Sequence, residues 1–187
     1  MKSYVILLRG INVGGKNKIR MAALKVCLEE QGFEDIVTYI QSGNVLLRSN
    51  LDVLSISAKI EAALLENFKV ESAIIRVLAL EDKAFREVVA RAPKEFGKDN
   101  TNYRYYVIFL MGVDASEAIK QIDVRQGIDE AWQGDEVIYY RLPSLTSPNA
   151  TKSHLNKVSQ KPLYQSITIR NWKTTVKLLE ILEEHKT

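Results

Sequence analysis

Residues Tyr4–Leu8 form an apolar run with no polar residue to alternate with. A half-exposed strand would alternate, so the pattern predicts a central strand covered on both faces. A loop with three glycines follows, Arg9-Gly10-Ile11-Asn12-Val13-Gly14-Gly15-Lys16. Met21, Leu24 and Leu28 recur at helical spacing, predicting a helix over 21–31 that Gly32 ends. Ile36–Gln41 and Val45–Arg48 read as strands, with Ser42-Gly43-Asn44 as their hairpin turn, since Gly and Asn both tolerate positive φ. Asn50 or Asp52 caps a helix running to about Phe68, with Val53, Ile56, Ile60, Leu64 and Phe68 on one face. Ala73–Leu80 is a further strand, and 81–91 a linking helix that Ala92-Pro93 stops. Residues 94–102 read as a polar loop.

The order up to residue 80 is β-α-β-β-α-β, the split βαβ of ferredoxin-like domains. The second half repeats it. Tyr105–Met111 is again apolar on both faces. Asp114 and Glu117 resemble a capping box opening a short helix. Ile128–Trp132 and Val137–Leu142 flank Gly134-Asp135 as a hairpin. One helix is expected near 151–159 and a short strand over 166–169. Asn171 caps a final helix whose stripe is Trp172, Val176, Leu179 and Leu182. The repeat is one of element order, with no sequence alignable between the halves. The expectation is an α+β chain of two ferredoxin-like βαββαβ halves packed together, with a linking helix and a C-terminal helix. Residues 1–80 form the half with the Gly-rich basic loop. Residues 81–187 hold the linking helix, the second half and the C-terminal helix.

Composition adds bounds. The chain has 187 residues, 46% apolar and 26% charged, ordinary for a globular protein. Its single cysteine, Cys27, excludes an intrachain disulfide framework and falls at a small core position of the first helix. The N-terminal apolar run is too short for a signal segment or a membrane span, so a cytoplasmic protein without membrane attachment is expected. The net charge is only +3, yet it is unevenly spread. Residues 1–28 hold six bases and no acid, residues 143–179 also six and none, and the middle holds 20 acids against 13 bases. If the basic ends meet, they form a patch for phosphates or nucleic acid; if they face apart, they are merely solvated.

The topology suggests where a ligand would go. In a ferredoxin-like half the first two strands are parallel, so Arg9-Gly10 and Gln41 end at the same sheet edge. The glycine loop and the 42–44 turn then share that edge. Backbone N–H groups at Gly14 and Gly15, amides at Asn12 and Asn44, the Ser42 hydroxyl and charges at Arg9 and Lys16 suit a phosphate or carboxylate. Alternatively the glycines only make a tight bend and the cations are solvated. The loop is not a P-loop, since Asn17 follows Lys16, and the adjacent Gly14-Gly15 do not fit a dinucleotide fingerprint. Arg170 and Trp172, at the start of the last helix, are candidate neighbours of the ligand.

Other chemistry is sparse. His154 and His185 lack metal-ligand spacing, no metal or cofactor is expected, and no nucleophile–base pair is visible. The third strand, Val45–Arg48, lacks the aromatics of an RNA-recognition domain, and Tyr103, Tyr105 and Phe109 are explained as well by strand packing.

Three motifs are identifiable: Arg9–Lys16, Tyr39-Ile40-Gln41-Ser42-Gly43-Asn44-Val45, and Thr168-Ile169-Arg170-Asn171-Trp172-Lys173-Thr174. In this order they resemble the bacterial family called domain of unknown function 1697. The resemblance runs over nearly the whole chain and implies an α/β fold of two ferredoxin-like halves. It implies no catalytic residues. The leading expectation is a protein binding a small anionic ligand at the 9–18 loop and the 42–44 turn. The alternatives are a nucleic-acid-binding module using the basic ends, and an enzyme on a phosphorylated substrate with no assignable mechanism.

Overall fold

The computed structural model describes residues 1–71 and 75–184. The chain is α+β, with two four-stranded antiparallel sheets. The first sheet has β1 (Lys2–Arg9), β2 (Glu34–Tyr39), β3 (Asn44–Ser49) and β4 (Arg76–Glu81), with α1 (Met21–Glu30) and α2 (Val53–Asn67) as crossings. Its order is β2-β3-β1-β4, the ferredoxin-like arrangement. Of the strand expected over 73–80, residues 73 and 74 lie outside the described residues. The second sheet has β5 (Tyr103–Leu110), β6 (Glu130–Gln133), β7 (Val137–Pro143) and β8 (Ile167–Asn171), with the short α4 (Ala115–Ile119) in the first crossing. Its order, β6-β7-β5-β8, is the same. Each fourth strand runs straight into a helix, α3 (Asp82–Ala90) and α5 (Trp172–Glu184).

Two compact units divide the chain: Met1–Arg86 with the chain from Leu178 onward, and Glu87–Lys177. Both boundaries fall inside helices, α3 and α5. In the first unit Tyr4, Ile6 and Leu8 of β1 join Val45, Leu47, Val77 and Ala79 beneath Leu24, Leu28, Ile56, Ile60 and Leu64 of the two helices. The alternate residues Val5, Leu7, Leu46 and Leu80 are buried as well, as an unbroken apolar strand requires. In the second unit Ile108, Leu110, Ile138, Tyr140, Leu142 and Ile167 pack with Ala115, Ala118, Val158 and Leu163. Its other strand face, with Val107, Phe109, Val137 and Tyr139, is also buried.

The strand registers expose a repeat that the sequence reading missed. Tyr4 sits opposite the last residue of β4, Glu81, and Tyr106 opposite the last residue of β8, Asn171. Aligned on that register, Tyr4-Val5-Ile6-Leu7-Leu8-Arg9-Gly10 matches Tyr106-Val107-Ile108-Phe109-Leu110-Met111-Gly112 at five positions of seven. The likeness extends to the hairpins. Arg48 faces Glu34 and pairs with Asp35, while Arg141 faces Glu130 and pairs with it.

Three local expectations are corrected. Instead of one helix near 151–159, two 3₁₀ turns span Leu155–Gln160 and Pro162–Ser166. Pro162 lacks the N–H that a continuous helix needs, and Ser153 and Ser159 bond to nearby backbone instead. Asn44 is not a left-handed turn residue but the fully buried first residue of β3; Ile40 and Gly43 carry the positive φ values, 48° and 77°. On α5 the buried face is Thr175, Leu178, Ile181 and Leu182, about one residue round from the expected stripe. Trp172 is drawn aside, half-buried against Phe96, 5.1 Å between ring centres.

Candidate functional site

The glycine loop is a two-residue β-hairpin. Val13 and Lys16 form a bridge, with the Lys16 N–H donating to the Val13 carbonyl at 3.0 Å. Gly14 and Gly15 at its tip have φ of 57° and 78°. Two consecutive positive φ values mark a type I′ turn, where glycine is unstrained. A Cβ at either would meet nothing within 4 Å, so the tip stands clear of the unit.

Two asparagines hold this hairpin. Asn12 donates through Nδ2 to the carbonyls of Ile19 (2.9 Å) and Gln41 (2.8 Å), and its Oδ1 accepts from the Ile19 N–H (2.8 Å). Asn17, buried, donates to the Gly10 carbonyl and accepts from the Glu71 N–H, each at 2.8 Å. Both have left-handed φ, 54° and 47°, which asparagine tolerates. The pattern Asn12-Val13-Gly14-Gly15-Lys16-Asn17 is therefore a hairpin signature, and that signal in the sequence could have identified Asn17.

The expected sheet edge is formed. Asn12 bridges to Gln41, the Leu8 N–H donates to the Gly43 carbonyl (2.8 Å), and a Cβ on Gly43 would lie 2.8 Å from Ile11 Cδ1. Asn44 Nδ2 donates to the Ser42 hydroxyl (2.9 Å) and the Tyr39 carbonyl (3.1 Å). The structure thus brings Arg9, Asn12, Gly14, Gly15, Lys16, Ser42 and Asn44 to one end of the first unit. The side chains of Asn12 and Asn44 are engaged in holding the two loops.

That end is basic. Arg9, Lys16, Lys18, Arg20, Lys69 and Arg76 lie on the strand, helix and loop termini there, against Glu66 and Glu71. At the opposite end stand Glu29, Glu30, Glu34, Asp35, Asp52 and Glu81 against Lys2 and Arg48. Lys16 pairs with Glu71 at 3.3 Å, both largely exposed. Lys18, Arg20, Lys69 and Arg76 have no acidic partner among the described residues. Arg9 and Arg76 face each other directly on β1 and β4. Two apolar side chains are exposed among these cations, Val13 (65%) and Ile40 (48%). Ile40 is β-branched with φ of 48°, an uncommon and strained conformation.

Arg170 and Trp172 belong to the second unit. Arg170 is buried, and desolvation draws its guanidinium down to about 10. It donates to the Thr168 hydroxyl (2.8 Å) and the Ile169 carbonyl (3.0 Å). Trp172 lines a small pocket with Asn100, Tyr103, Arg104, Tyr105, Asn171 and Lys173. Lys173 belongs to the last of the three sequence motifs, whereas Arg104 and Asn100 were not singled out in the sequence; their grouping depends on the path of residues 94–102, for which no periodic signal exists. The aromatics of this unit converge on Phe96, whose ring lies edge-on to Tyr105, Trp132, Tyr139 and Trp172. The Tyr139 hydroxyl donates to the Val88 carbonyl, and burial pushes its pKa up to about 12. No group of three metal-ligating side chains occurs among the described residues, and no helix there is long and apolar enough to cross a membrane.

No curated protein matches the sequence. Among solved structures, the chain is similar to the conserved bacterial protein SP0830 from Streptococcus pneumoniae. The two share 26% identity with a TM-score of 0.81, over 98% of this chain and 99% of that one. Residues 1–139 match the family described as "Protein of unknown function (DUF1697)", and the chain belongs to that family.

Proposed function

We propose that the protein binds an extended phosphate polyanion, the backbone of a nucleic acid, at the basic end of its first unit. One observation carries this reading: a projecting hairpin and the segment leading from it to α1 leave Lys16, Lys18 and Arg20 exposed, while Asn12 and Asn17 bond inward to backbone. Exposed charges spread along a surface suit a chain of phosphates better than one enclosed anion. Val13 and Ile40 add apolar contact for sugar or base edges. Asn12, Ser42 and Asn44 then act as frame, and Gly14 and Gly15 let the tip turn.

The test is fluorescence anisotropy with labelled single- and double-stranded oligonucleotides across a salt series. Binding should weaken steeply as salt rises. In the Lys18→Ala/Arg20→Ala double variant the slope of log K against log salt should be shallower by roughly 1.8, about 0.9 for each lost duplex phosphate contact. An affinity indifferent to salt, or to this double variant, would overturn the reading.

A second reading has its own support. In it Arg9 and Arg76, paired in register on adjacent strands, take one phosphate or carboxylate between them, with Arg76 Nη1 already bonded to the Ile75 carbonyl at 2.8 Å. A small ligand held there would stabilise the protein at physiological salt and lose its effect in Arg76→Gln, with the hairpin double variant unaffected. An unchanged thermal shift in Arg76→Gln would exclude this reading.

A further inference from the structure

The pocket in the second unit is separate from the hairpin and has chemistry of its own. Its volume is about 100 Å³, the space of roughly three waters. That is enough for the oxyanion head of a small molecule and too little for a whole nucleotide. Two cations line it, Arg104 and Lys173, and no carboxylate does. The Arg104 Nε donates to the Pro143 carbonyl at 2.9 Å, which orients the guanidinium. Its remaining nitrogens and Lys173 Nζ have no hydrogen-bond or ion-pair partner among the described residues. The acid nearest in sequence, Asp99, is occupied: its carboxylate accepts from the backbone N–H (3.0 Å) and Nδ2 (2.9 Å) of Asn102.

Three aromatic rings, Tyr103, Tyr105 and Trp172, form part of the wall, and the indole is held in place. A Cβ on Gly97 would lie 2.1 Å from Trp172 Nε1, so the indole is seated directly on a glycine with φ of 81°. The Arg141 guanidinium stands 4.0 Å over the Tyr103 ring. The side-chain amides of Asn100 and Asn171 line the pocket beside the two cations, and walls held in place reduce the entropy lost on binding. We propose that this pocket seats the oxyanion head, carboxylate or phosphate monoester, of a small molecule whose remainder lies against Tyr103 and Trp172.

The readout is the indole N–H resonance of Trp172 in ¹⁵N-labelled full-length protein, assigned with Trp132→Phe. Inorganic phosphate, phenyl phosphate, acetate and benzoate are titrated at constant ionic strength, with chloride as the control. A saturable Trp172 shift with at least one oxyanion is expected. Phenyl phosphate against benzoate then decides which head group is preferred. Lys173→Gln should weaken binding at least tenfold and Lys173→Arg should restore it, while Lys18→Ala/Arg20→Ala should leave it unchanged. Lys173 is exposed, so its variants fold; Arg104→Gln, checked by circular dichroism, is the second variant. An equal shift from chloride, no saturable shift with any of the four oxyanions, or full binding in Lys173→Gln would overturn the proposal. Loss of nucleic-acid binding in the hairpin variant leaves this result untouched, so the two readings fail separately.

Discussion

Asn17 shows how much of the hairpin depends on one side chain. It is buried, and both its amide groups bond to backbone from opposite sides of the loop. Asn17→Ala strands one carbonyl and one N–H, and urea unfolding should show a loss of about 2–3 kcal/mol. Ile40 acts in the opposite sense. Asparagine tolerates left-handed φ better than a β-branched residue, so Ile40→Asn should stabilise the protein by about 1 kcal/mol. If the strain serves recognition, the same variant weakens oligonucleotide binding; unchanged binding would make Ile40 a bystander. Asp52 caps α2 through bonds from the Leu54 and Ser55 N–H groups and the Ser55 hydroxyl. Those bonds, the Ser55 backbone bond foremost, hold its carboxyl below the usual carboxylate range. Its stabilisation is therefore whole above about pH 4 and fades as pH falls through the lower folded value. Asp52→Asn should flatten that part of an acid-unfolding curve, and an unaltered acid limb would show that the cap does not titrate with stability. At this scale the sequence was readable where a residue has one dominant use. Gly32 was placed correctly as the end of α1, and capping chemistry narrowed the start of α2 to Asn50 or Asp52, of which the structure uses Asp52. Asn12 and Asn44 were read as binding groups because a free amide and a structural one look the same until their partners are known.

The two crossings that complete the sheets differ in kind. In the first unit α2 has 15 residues, an N-cap and a buried stripe. In the second, the same topological step is made by two 3₁₀ turns of six and five residues. The 3₁₀ geometry gives poorer hydrogen bonds and shorter cooperative runs. Amide exchange over 155–166 should accordingly open at lower free energy than over 53–67, and equal protection would contradict this. Periodicity located nearly every strand and helix, because burial on one or both faces writes itself into spacing. It misplaced the α5 face because apolar residues occur all round that helix: Val176 and Leu179 are half-buried and Leu178 fully so. The strand repeat is present in the sequence at five of seven positions. It was overlooked because the surrounding loops differ in length, and only the ladder registers reveal the offset.

Across the whole molecule the chain crosses between its compact units twice, each time within a continuous helix. Helices lose their bonds cooperatively, so fraying of one unit propagates into the segment that feeds the other. Urea unfolding followed by tryptophan fluorescence, with both indoles in the second unit, should coincide with far-ultraviolet dichroism of the whole chain; separated midpoints would show independent units. The strand order of both sheets could be anticipated from connectivity alone, since right-handed crossings leave few options. The grouping of charge at one end of the first unit was partly visible, as an acid-free stretch over residues 1–28. Lys69 and Arg76 join that group only through the return of α2 and β4.

The likeness of β1 and β5, which share four of the five residues of Tyr4–Leu8 and Tyr106–Leu110, has a consequence for how the chain finds its structure. Each is an inner strand of its sheet, and over those five positions each offers nearly the same side chains to its neighbours. A chain refolding from denaturant therefore meets two templates that are nearly interchangeable, and some molecules will mate a strand with the wrong copy. During synthesis the first template emerges and collects its partners before the second exists. Refolding should thus contain a slow error-correcting phase that persists after unfolding too brief for proline isomerisation. A single fast phase under those conditions would mean that Leu7 against Phe109, and Arg9 against Met111, are difference enough to tell the copies apart.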